Sequence, residues 1–465
     1  MHLHSFVKKG MIATVVLVAA AGTSAAQDAP LAAYNAALTE SSVSGISSGA
    51  YLAVQFATAW SSVIKGVGAI AGGPFGCAGG LASTALSTCM VGAPGVDLGV
   101  LRSLIDTLGD SSAIDDPVNI ARQQVYLFNG YNDNIVMRPV SNWLASLYTA
   151  RLGEPHSGNL FYQTAIGAGH SQVTLNYGGK CSANGGTYFD DCGYDQAGVM
   201  LQHIYGALAR PNRGALRGTV LTFSQAEFTA PAKPAEYSMG NNAFLYIPAD
   251  CAAGAACRMH IALHGCKQSF DNIGEEFVRH AGYNEWADTN HIIVLYPQTT
   301  PSFLVAPFGP TNPEACWDWW GYLDQDPSGD PRYLTKAAPQ ITTIKRMLDR
   351  LTTGATPADA VVAADPQVLV VNDATDTSIA LAWTAVPGAS GYEVLRRGPG
   401  ETAFASVGTV GGLGFGDKGL TPKTVYQYQV RPILASGAGL FTAVVTKATR
   451  PPVPRCIDPG TCKVS

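Results

Sequence analysis

Short apolar runs alternate with helix-like segments over most of the chain. Residues 125–128, 259–263 and 292–296 are almost continuously apolar, a pattern typical of strands that are buried on both faces of a parallel sheet. Segment 51–61 is helix-like. Segment 339–351 carries its apolar side chains at helical spacing, which predicts a helix with one buried face. This alternation predicts an α/β domain.

The pattern changes after the last of these helices. A run of small residues at 352–358 predicts a linker, which we place at 356–363. Short alternating strands separated by turn residues then predict an all-β sandwich. The spacing of residues 420–430 resembles the tyrosine-corner strand of fibronectin type III domains, and Trp383 stands at the position of their core tryptophan. The predicted segments of the mature chain are an α/β domain at 27–355, the linker at 356–363, a fibronectin type III-like domain at 364–449 and a short cysteine-containing tail at 450–465.

Residues 1–26 have the features of an export signal. Lys8 and Lys9 precede an apolar run at 11–21, and Ser24-Ala25-Ala26 provides small residues for cleavage. The apolar run is shorter than the roughly 20 residues that cross a bilayer. We therefore expect a secreted protein that does not associate with a membrane.

Charge and cysteine content restrict the possible partners. The chain has 29 Lys and Arg against 34 Asp and Glu, with a net charge of −5, so nucleic acid is not an expected partner. The ten cysteines, an even number in an exported chain, indicate disulfides. Pairing between sequence neighbours is the simplest hypothesis, although spacing does not determine connectivity. Because neither Cys-x-x-Cys pairs nor clustered histidines occur, we expect no metal site.

Gly45-Ile46-Ser47-Ser48-Gly49 matches the Gly-x-Ser-x-Gly pattern of a nucleophilic serine. The strand-to-helix turn that exposes such a serine has strained backbone angles and leaves room only for small flanking residues. The pattern alone is weak, because the chain contains 51 glycines. Its context is favourable, since a predicted strand at 38–43 precedes it and a predicted helix at 51–56 follows it. We predict that Ser47 is a nucleophile.

A serine nucleophile needs a base, and the base needs an acid that orients it. In α/β-hydrolases the three occur in the order serine, acid, histidine. Asp133 follows the predicted strand at 125–128, and His170 lies in a glycine-containing loop after the strand-like residues 160–166. We predict that Asp133 and His170 form a triad with Ser47. A turn aspartate and a loop histidine bonded to backbone are the alternatives for the two residues taken singly.

The order of the predicted strands is unusual for an α/β-hydrolase, which normally has several strands and an oxyanion loop ahead of its nucleophile. Here the mature chain begins shortly before Ser47. The predicted strand at 259–263 leads into His264-Gly265-Cys266, and His-Gly after a strand begins the loop that supplies one oxyanion N–H in many hydrolases. A circular permutation of the sheet is the simplest explanation. In this interpretation His264 has a positional role, and a core histidine is the alternative.

Residues 31–351 resemble extracellular poly(3-hydroxybutyrate) depolymerases with a type II, circularly permuted catalytic domain. The resemblance implies a circularly permuted α/β-hydrolase domain followed by a fibronectin type III-like domain. It also implies catalysis by Ser47, Asp133 and His170, with the backbone N–H groups of Ser48 and Cys266 as oxyanion donors. The motifs that carry it occur in this order: Gly45-Ile46-Ser47-Ser48-Gly49-Ala50-Tyr51, Asn129-Gly130-Tyr131-Asn132-Asp133, Gly169-His170-Ser171 and His264-Gly265-Cys266.

The resemblance implies a substrate and a mechanism. The substrate would be poly(3-hydroxybutyrate), a related polyhydroxyalkanoate or their oligomers, hydrolysed through an acyl-enzyme on Ser47 without a cofactor. A disulfide between Cys266 and Cys316 would hold the oxyanion loop in place. Many relatives continue into a polymer-binding domain, whereas this chain ends shortly after Cys462, so we expect weak adhesion to crystalline polymer. We also expect a monomer.

Trp317, Trp319 and Trp320 follow Cys316 directly. Their aromatic faces suit contact with the methyl-bearing polyester backbone, and core packing is the alternative. Two other functions stay open, because a fold does not determine a substrate. One is a carboxylesterase acting on feruloyl or acetyl esters of plant polysaccharide. The other is a non-catalytic surface-binding protein that binds through its fibronectin-like unit.

Overall fold

The computed structural model describes ten segments of the chain. The predicted signal peptide at 1–26, the linker at 356–363, and Cys456 and Cys462 of the tail lie outside the described residues. The segment boundaries placed there stay predictions. The described residues are 30–153, 156–303, 311–323, 331–352, 369–386, 389–401, 404–434, 437–438, 442 and 444–451.

An eight-stranded mixed sheet lies at the centre of the N-terminal region, with a three-stranded sheet and a two-stranded pair beside it. The strands of this region are β1 (Ala36–Ile46), β2 (Ile64–Ile70), β3 (Gln124–Phe128), β4 (Leu160–Gln163), β5 (Gln172–Thr174), β6 (Gly179–Lys180), β7 (Phe189–Asp191), β8 (Thr219–Ser224), β9 (Asn242–Ile247), β10 (Cys257–Leu263), β11 (Ile292–Tyr296), β12 (Ser302–Phe303) and β13 (Thr311–Asn312). The predicted strands at 125–128, 259–263 and 292–296 are the buried strands β3, β10 and β11.

Helices cover both faces of the large sheet, and each face has its own apolar cluster. One cluster includes side chains of α1, α4, α5 and α12, and the other includes side chains of α6, α10 and α11. The predicted helices at 51–61 and 339–351 correspond to α1 and α12. The helices are α1 (Ser48–Ala59), α2 (Ala82–Leu86), α3 (Thr88–Val91), α4 (Leu98–Asp110), α5 (Arg138–Leu152), α6 (Gln196–Tyr205), α7 (Ala226–Thr229), α8 (Ala249–Ala252), α9 (Phe270–Ile273), α10 (Glu276–His280), α11 (Tyr283–Asn290) and α12 (Pro339–Thr352), with short 3-10 turns at Pro117–Arg122, His156–Asn159, Pro234–Tyr237 and Arg332–Leu334.

The strand order confirms the permutation. The large sheet runs β4-β3-β2-β1-β10-β11-β9-β8. Strands β2, β3 and β4 extend the sheet on one side of β1, and the four strands on its other side all come later in the chain. All neighbouring pairs are parallel except those of β9, which is antiparallel to β8 and to β11. The strands that usually precede the nucleophile of a hydrolase thus follow it here.

The parallel register brings distant loops to one edge of the sheet. Gly45 near the end of β1 is paired with Ala69 on β2 and with Leu263 on β10. The carboxyl ends of β1, β3, β4 and β10 therefore lie at the same edge, where α/β proteins generally bind ligands. The segments that contain Ser47 and Ser48, Asp133, His170 and Cys266 leave the sheet there.

The C-terminal region is an all-β sandwich, as the sequence predicts. One sheet has the order β14-β15-β18, and the other has the order β17-β16-β19-β20 with β21 on β19. The N–H of Thr421 donates to the Tyr426 hydroxyl at 3.1 Å, which is the hydrogen bond of a tyrosine corner. Trp383 is buried against Tyr392. The strands are β14 (Leu369–Ala374), β15 (Ser378–Trp383), β16 (Ala389–Arg397), β17 (Ala405–Val410), β18 (Gly414–Lys418), β19 (Val425–Leu434), β20 (Gly437–Ala438) and β21 (Val445–Ala448).

Disulfides join consecutive cysteines throughout the part of the chain that the structure describes. The pairing between neighbours is confirmed there, and so is the implied link between Cys266 and Cys316. Within the same residues, no helix is both long and apolar enough to cross a membrane. The bonds are Cys77–Cys89, Cys181–Cys192, Cys251–Cys257 and Cys266–Cys316.

Candidate active site

Ser47 occupies the sharp turn between β1 and α1. Its backbone angles are φ 55° and ψ −122°, a conformation that L-residues rarely adopt and that usually marks a functional constraint. The Ser47 N–H donates to the carbonyl of Ile70 on β2 at 2.9 Å. A Cβ on Gly45 would lie 2.3 Å from the carbonyl carbon of Gly49. Only glycine therefore fits on the strand side of this turn, as the motif predicts.

Asp133 and His170 come from the loops after β3 and β4 and form a buried pair. The His170 Nδ1 donates to Asp133 Oδ2 at 2.9 Å, because an ionised carboxylate can only accept. The other oxygen, Oδ1, accepts the N–H groups of Ile135 at 2.9 Å and Val136 at 3.0 Å. The carboxylate is thus held from both sides. The imidazole then carries its proton on Nδ1, and its Nε2 is free to accept one.

Ser47 and His170 line the same cavity, which has a volume of about 260 Å³. Its wall is mainly apolar and includes Tyr188, Trp319 and Trp320. The volume is slightly below the roughly 300–1,000 Å³ of pockets that enclose drug-sized ligands. The cavity therefore suits a short apolar segment of a longer molecule.

The loop after β10 lies beside Ser47. The buried His264 ring contacts the backbone of this loop. Burial lowers the pKa of His264 to about 4, so the ring is neutral at pH 7. Its Nδ1 contacts the carbonyl of Gly265 at 2.7 Å, and its Nε2 lies 3.3 Å from the N–H of Thr299. The carbonyl only accepts, so Nδ1 carries the proton and Nε2 accepts from Thr299. These backbone contacts suit the positional role that the sequence predicts for His264, and that role stays a prediction.

Two backbone N–H groups are available near Ser47. The flanking Gly265 N–H donates to Gln268 Oε1, and the Lys267 N–H donates to the carbonyl of Glu314. Among the described residues, no hydrogen bond uses the N–H of Cys266. Ser48 is the first residue of α1, so its N–H has no acceptor within the helix. These are the two donors that the sequence analysis assigns to an oxyanion hole.

The three tryptophans have different positions. Trp319 and Trp320 line the cavity, and the Trp319 ring stacks on Tyr51 at 4.1 Å. Trp317 is completely buried and donates through Nε1 to the carbonyl of His264 at 2.9 Å. This corrects the expectation for Trp317, because a side chain without exposed surface cannot contact substrate. Its ring supports the oxyanion loop instead.

Sequence reasoning missed the loop that the Cys181–Cys192 disulfide closes. Asn184 of this loop bonds to the backbone of His170, and Tyr188 contributes to the cavity wall. Gln268 reaches the loop from the other side, donating to the carbonyls of Thr187 and Tyr188 at 3.0 and 3.1 Å. The only signal in the sequence is the cysteine pair itself, which marks a constrained loop close after His170.

The described residues contain no cluster of three or more His, Cys, Asp or Glu side chains arranged to bind an ion. His170 and Asp133 form a hydrogen-bonded imidazole–carboxylate pair. Together with Ser47 and the two N–H groups, it can support attack on an ester carbonyl.

Comparison with known proteins identifies relatives over most of the chain. No protein-family model matches the sequence. A poly(3-hydroxybutyrate) depolymerase of Delftia acidovorans is 38% identical over 407 residues, covering 86% of this chain and 77% of the relative. A polyhydroxybutyrate depolymerase of Talaromyces funiculosus is 37% identical over 303 residues, covering 63% of this chain and 85% of the relative.

Solved structures agree with these relatives. A serine-to-alanine variant of a PHB depolymerase, in complex with an R3HB trimer, is 32% identical, with a TM-score of 0.63, and the match covers 70% of this chain and 99% of that one. The PHB depolymerase from Penicillium funiculosum matches over the same shares at 32% identity, with a TM-score of 0.62. The sequence relationship and the shared fold give the same result: this chain belongs to the poly(3-hydroxybutyrate) depolymerase family.

Proposed function

We propose that the protein is a secreted serine esterase that hydrolyses poly(3-hydroxybutyrate), a related polyhydroxyalkanoate or their oligomers. The observation that carries the proposal is the buried hydrogen bond between His170 and Asp133 beside a mainly apolar cavity that Ser47 lines. Relatives named as depolymerases of this polyester, and a related structure that holds an R3HB trimer, support the choice of substrate.

In the acylation step, the Ser47 hydroxyl oxygen attacks the ester carbonyl carbon, and His170 Nε2 takes the hydroxyl proton. Asp133 holds the imidazole in the required tautomer and stabilises the imidazolium. The N–H groups of Ser48 and Cys266 donate to the developing oxyanion, a contribution of roughly 3–4 kcal/mol per donor. The ester C–O bond then breaks, and His170 returns the proton to the departing hydroxyl end of the polymer.

The deacylation step repeats this chemistry with water. His170 removes a proton from a water molecule, whose oxygen attacks the acyl carbon on Ser47. The second tetrahedral intermediate uses the same two N–H donors. When it collapses, His170 protonates the Ser47 oxygen and a hydroxy acid leaves. Every proton transfer uses His170, so no cofactor enters the cycle.

The cavity and the cysteines support the substrate and the location. A polyester segment is uncharged and carries methyl branches, and the mainly apolar wall around Trp319 and Trp320 suits it. Four disulfides in the described residues suit an oxidising compartment. Secretion and a monomeric state stay predictions.

Product analysis tests the proposal. The protein is incubated with amorphous poly(3-hydroxybutyrate), and 3-hydroxybutyrate and its oligomers are measured together with fluorophosphonate labelling of Ser47. Ser47→Ala and His170→Ala should each lower turnover by about 10⁶-fold, because the triad acts as a unit. Ser103→Ala, on the exposed face of α4, should keep wild-type turnover. A parallel incubation with feruloylated or acetylated polysaccharide tests the alternative: release of ferulate or acetate there, with no 3-hydroxybutyrate from the polyester, would favour a different ester substrate. Absence of labelling would contradict serine catalysis.

A further inference from the structure

Asn184 connects the two loops that carry the acid and the base. Its side-chain oxygen accepts the N–H of His170 at 2.9 Å and the N–H of Asn134 at 3.1 Å. Its side-chain nitrogen donates to the carbonyl of Asn132 at 3.0 Å. One amide group is thus bonded to the backbone of His170 and to the backbone on both sides of Asp133.

We infer that Asn184 is a positioning residue, which sets the distance and angle between the Asp133 carboxylate and the His170 imidazole. The inference rests on the proposed function, since it assigns Asn184 a part in keeping that triad aligned. A displacement of the backbone displaces the side chain that it carries. A displacement of 1 Å in a reacting group can lower the rate about 100-fold. An amide is suited to this task because it donates and accepts at once.

Asn184 is itself held by the loop around it. The Cys181–Cys192 disulfide closes the loop, and the N–H of Gly169 donates to the carbonyl of Cys181 at 2.8 Å. A Cβ on Gly169 would lie 1.7 Å from the carbonyl oxygen of Ala183. The loop therefore packs backbone to backbone against the residue that precedes His170. This packing holds the backbone of Asn184 in place, so that its side chain can align Asp133 and His170.

The first test compares two asparagines that each bridge loop segments. Asn184→Ala should lower kcat on soluble oligomers by about 10- to 100-fold and leave KM unchanged, since Asn184 is not part of the cavity wall. Asn212→Ala is the matched control, because Asn212 is also half-buried and donates to Ala215 and Asp288 far along the chain from the triad. It should keep the wild-type kcat. An unchanged kcat in Asn184→Ala would overturn the inference.

The second test uses Asn184→Asp. This variant keeps an acceptor for the two N–H groups and loses the donor to Asn132, and it places a negative charge beside Asp133 and His170. Negative charge favours the protonated imidazole, so kcat should fall and the acid limb of the pH–rate profile should move to higher pH. The added charge moves that limb whatever the role of Asn184, so the deciding value is kcat on the plateau of the profile. A residue that only stabilises the loop would keep the plateau kcat at the wild-type value. If Asn184→Ala does not fold, Asn184→Asp alone tests the positioning role of Asn184.

Fluorophosphonate labelling distinguishes failure of the proposed function from failure of the inference about Asn184. If fluorophosphonate does not label Ser47 in the wild-type protein, the proposed function fails. If Ser47 is labelled in the wild type and Asn184→Ala is labelled at the wild-type rate with full turnover, only the inference about Asn184 fails. Slower labelling of Asn184→Ala, at a melting temperature close to that of the wild type, is the result we expect.

Discussion

Gly49 lies directly against the carbonyl group of His264. A Cβ on Gly49 would lie 2.4 Å from that oxygen and 2.6 Å from the carbonyl oxygen of Leu263. The two residues follow the neighbouring parallel strands β1 and β10, so the start of the nucleophile helix and the start of the oxyanion loop touch. The second glycine of the serine motif is therefore required by its close contact with a segment that is distant in the sequence.

Gly49→Ala should damage both stability and activity. The added methyl group meets the backbone carbonyls of two consecutive residues and cannot be relieved by a rotamer change, so we expect a loss of about 1–3 kcal/mol in unfolding free energy and a lower kcat. Gly158→Ala is the control, because nothing lies within 4 Å of a Cβ at that position. Urea unfolding and oligomer turnover measure the two effects. Wild-type values for Gly49→Ala would contradict the close contact.

Asp133→Asn should lower kcat by about 10⁴-fold, because an amide no longer selects the imidazole tautomer with its proton on Nδ1. The fold should persist, since the shape is kept. Asp190→Asn is the matched control: Asp190 is also buried, and its carboxylate is not part of the pair. The kcat of both variants is measured on the same soluble ester. Equal rates in Asp133→Asn and the wild type would assign the acid role to another residue.

Removing the Cys266–Cys316 disulfide should lower activity more than its effect on stability explains. The double variant Cys266→Ala/Cys316→Ala releases the loop that carries the Cys266 N–H, so kcat should fall while KM changes little. Cys251→Ala/Cys257→Ala is the control, since that disulfide lies outside the cavity wall. It should lower the melting temperature and keep kcat. Both double variants are assayed well below their melting temperatures. Identical kcat values in the two would contradict a role of the Cys266–Cys316 disulfide in positioning the Cys266 N–H.

Trp320→Ala should raise KM for oligomers with little effect on stability, because the half-buried Trp320 ring lines the cavity. Trp60→Ala is the comparison: Trp60 is equally half-buried, but its ring packs against Lys336 and Lys345. That variant should lose stability and keep KM. Steady-state kinetics and thermal melts distinguish the two. An unchanged KM in Trp320→Ala would exclude it from substrate binding.

Two buried histidines should make the fold sensitive to acid. Burial lowers the pKa of His260 to about 3 and that of His264 to about 4, so below about pH 6.5 only the unfolded chain takes up these protons. The full unfolding free energy is therefore present above about pH 6.5. Below that pH it falls by roughly 1.4 kcal/mol per pH unit for each histidine. Burial raises the pKa of Asp190 to about 6, which offsets part of the loss below pH 6.

Urea unfolding between pH 7.5 and 5 checks this prediction. The wild-type unfolding free energy should decrease with falling pH, and Asp190→Asn should make the decrease steeper below pH 6. The reason is that the variant cannot take up the compensating proton in its folded state. A free energy that stays constant over this range would contradict the neutral state of the two histidines.

Local sequence patterns were enough to predict several features of the structure. Continuous apolar runs predicted β3, β10 and β11, because a strand covered on both faces needs apolar side chains at every position. The serine motif predicted the turn at Ser47, since few residues fit that backbone. The order of the strands relative to Ser47 predicted the permutation. Asp133 and His170 were selected because each follows a recognisable strand, and the structure places the two side chains in hydrogen-bond contact. Their catalytic roles stay predictions.

Other features depend on contacts between segments that are distant in the sequence, and local patterns do not predict them. Trp317 and Trp320 are close neighbours in sequence, yet one is buried beneath the oxyanion loop and the other faces the cavity. No local pattern separates them, because burial depends on what packs against each ring. Asn184 and Gln268 were missed for the same reason. A polar side chain that bridges two loops looks like any surface amide until the sheet brings those loops to one edge.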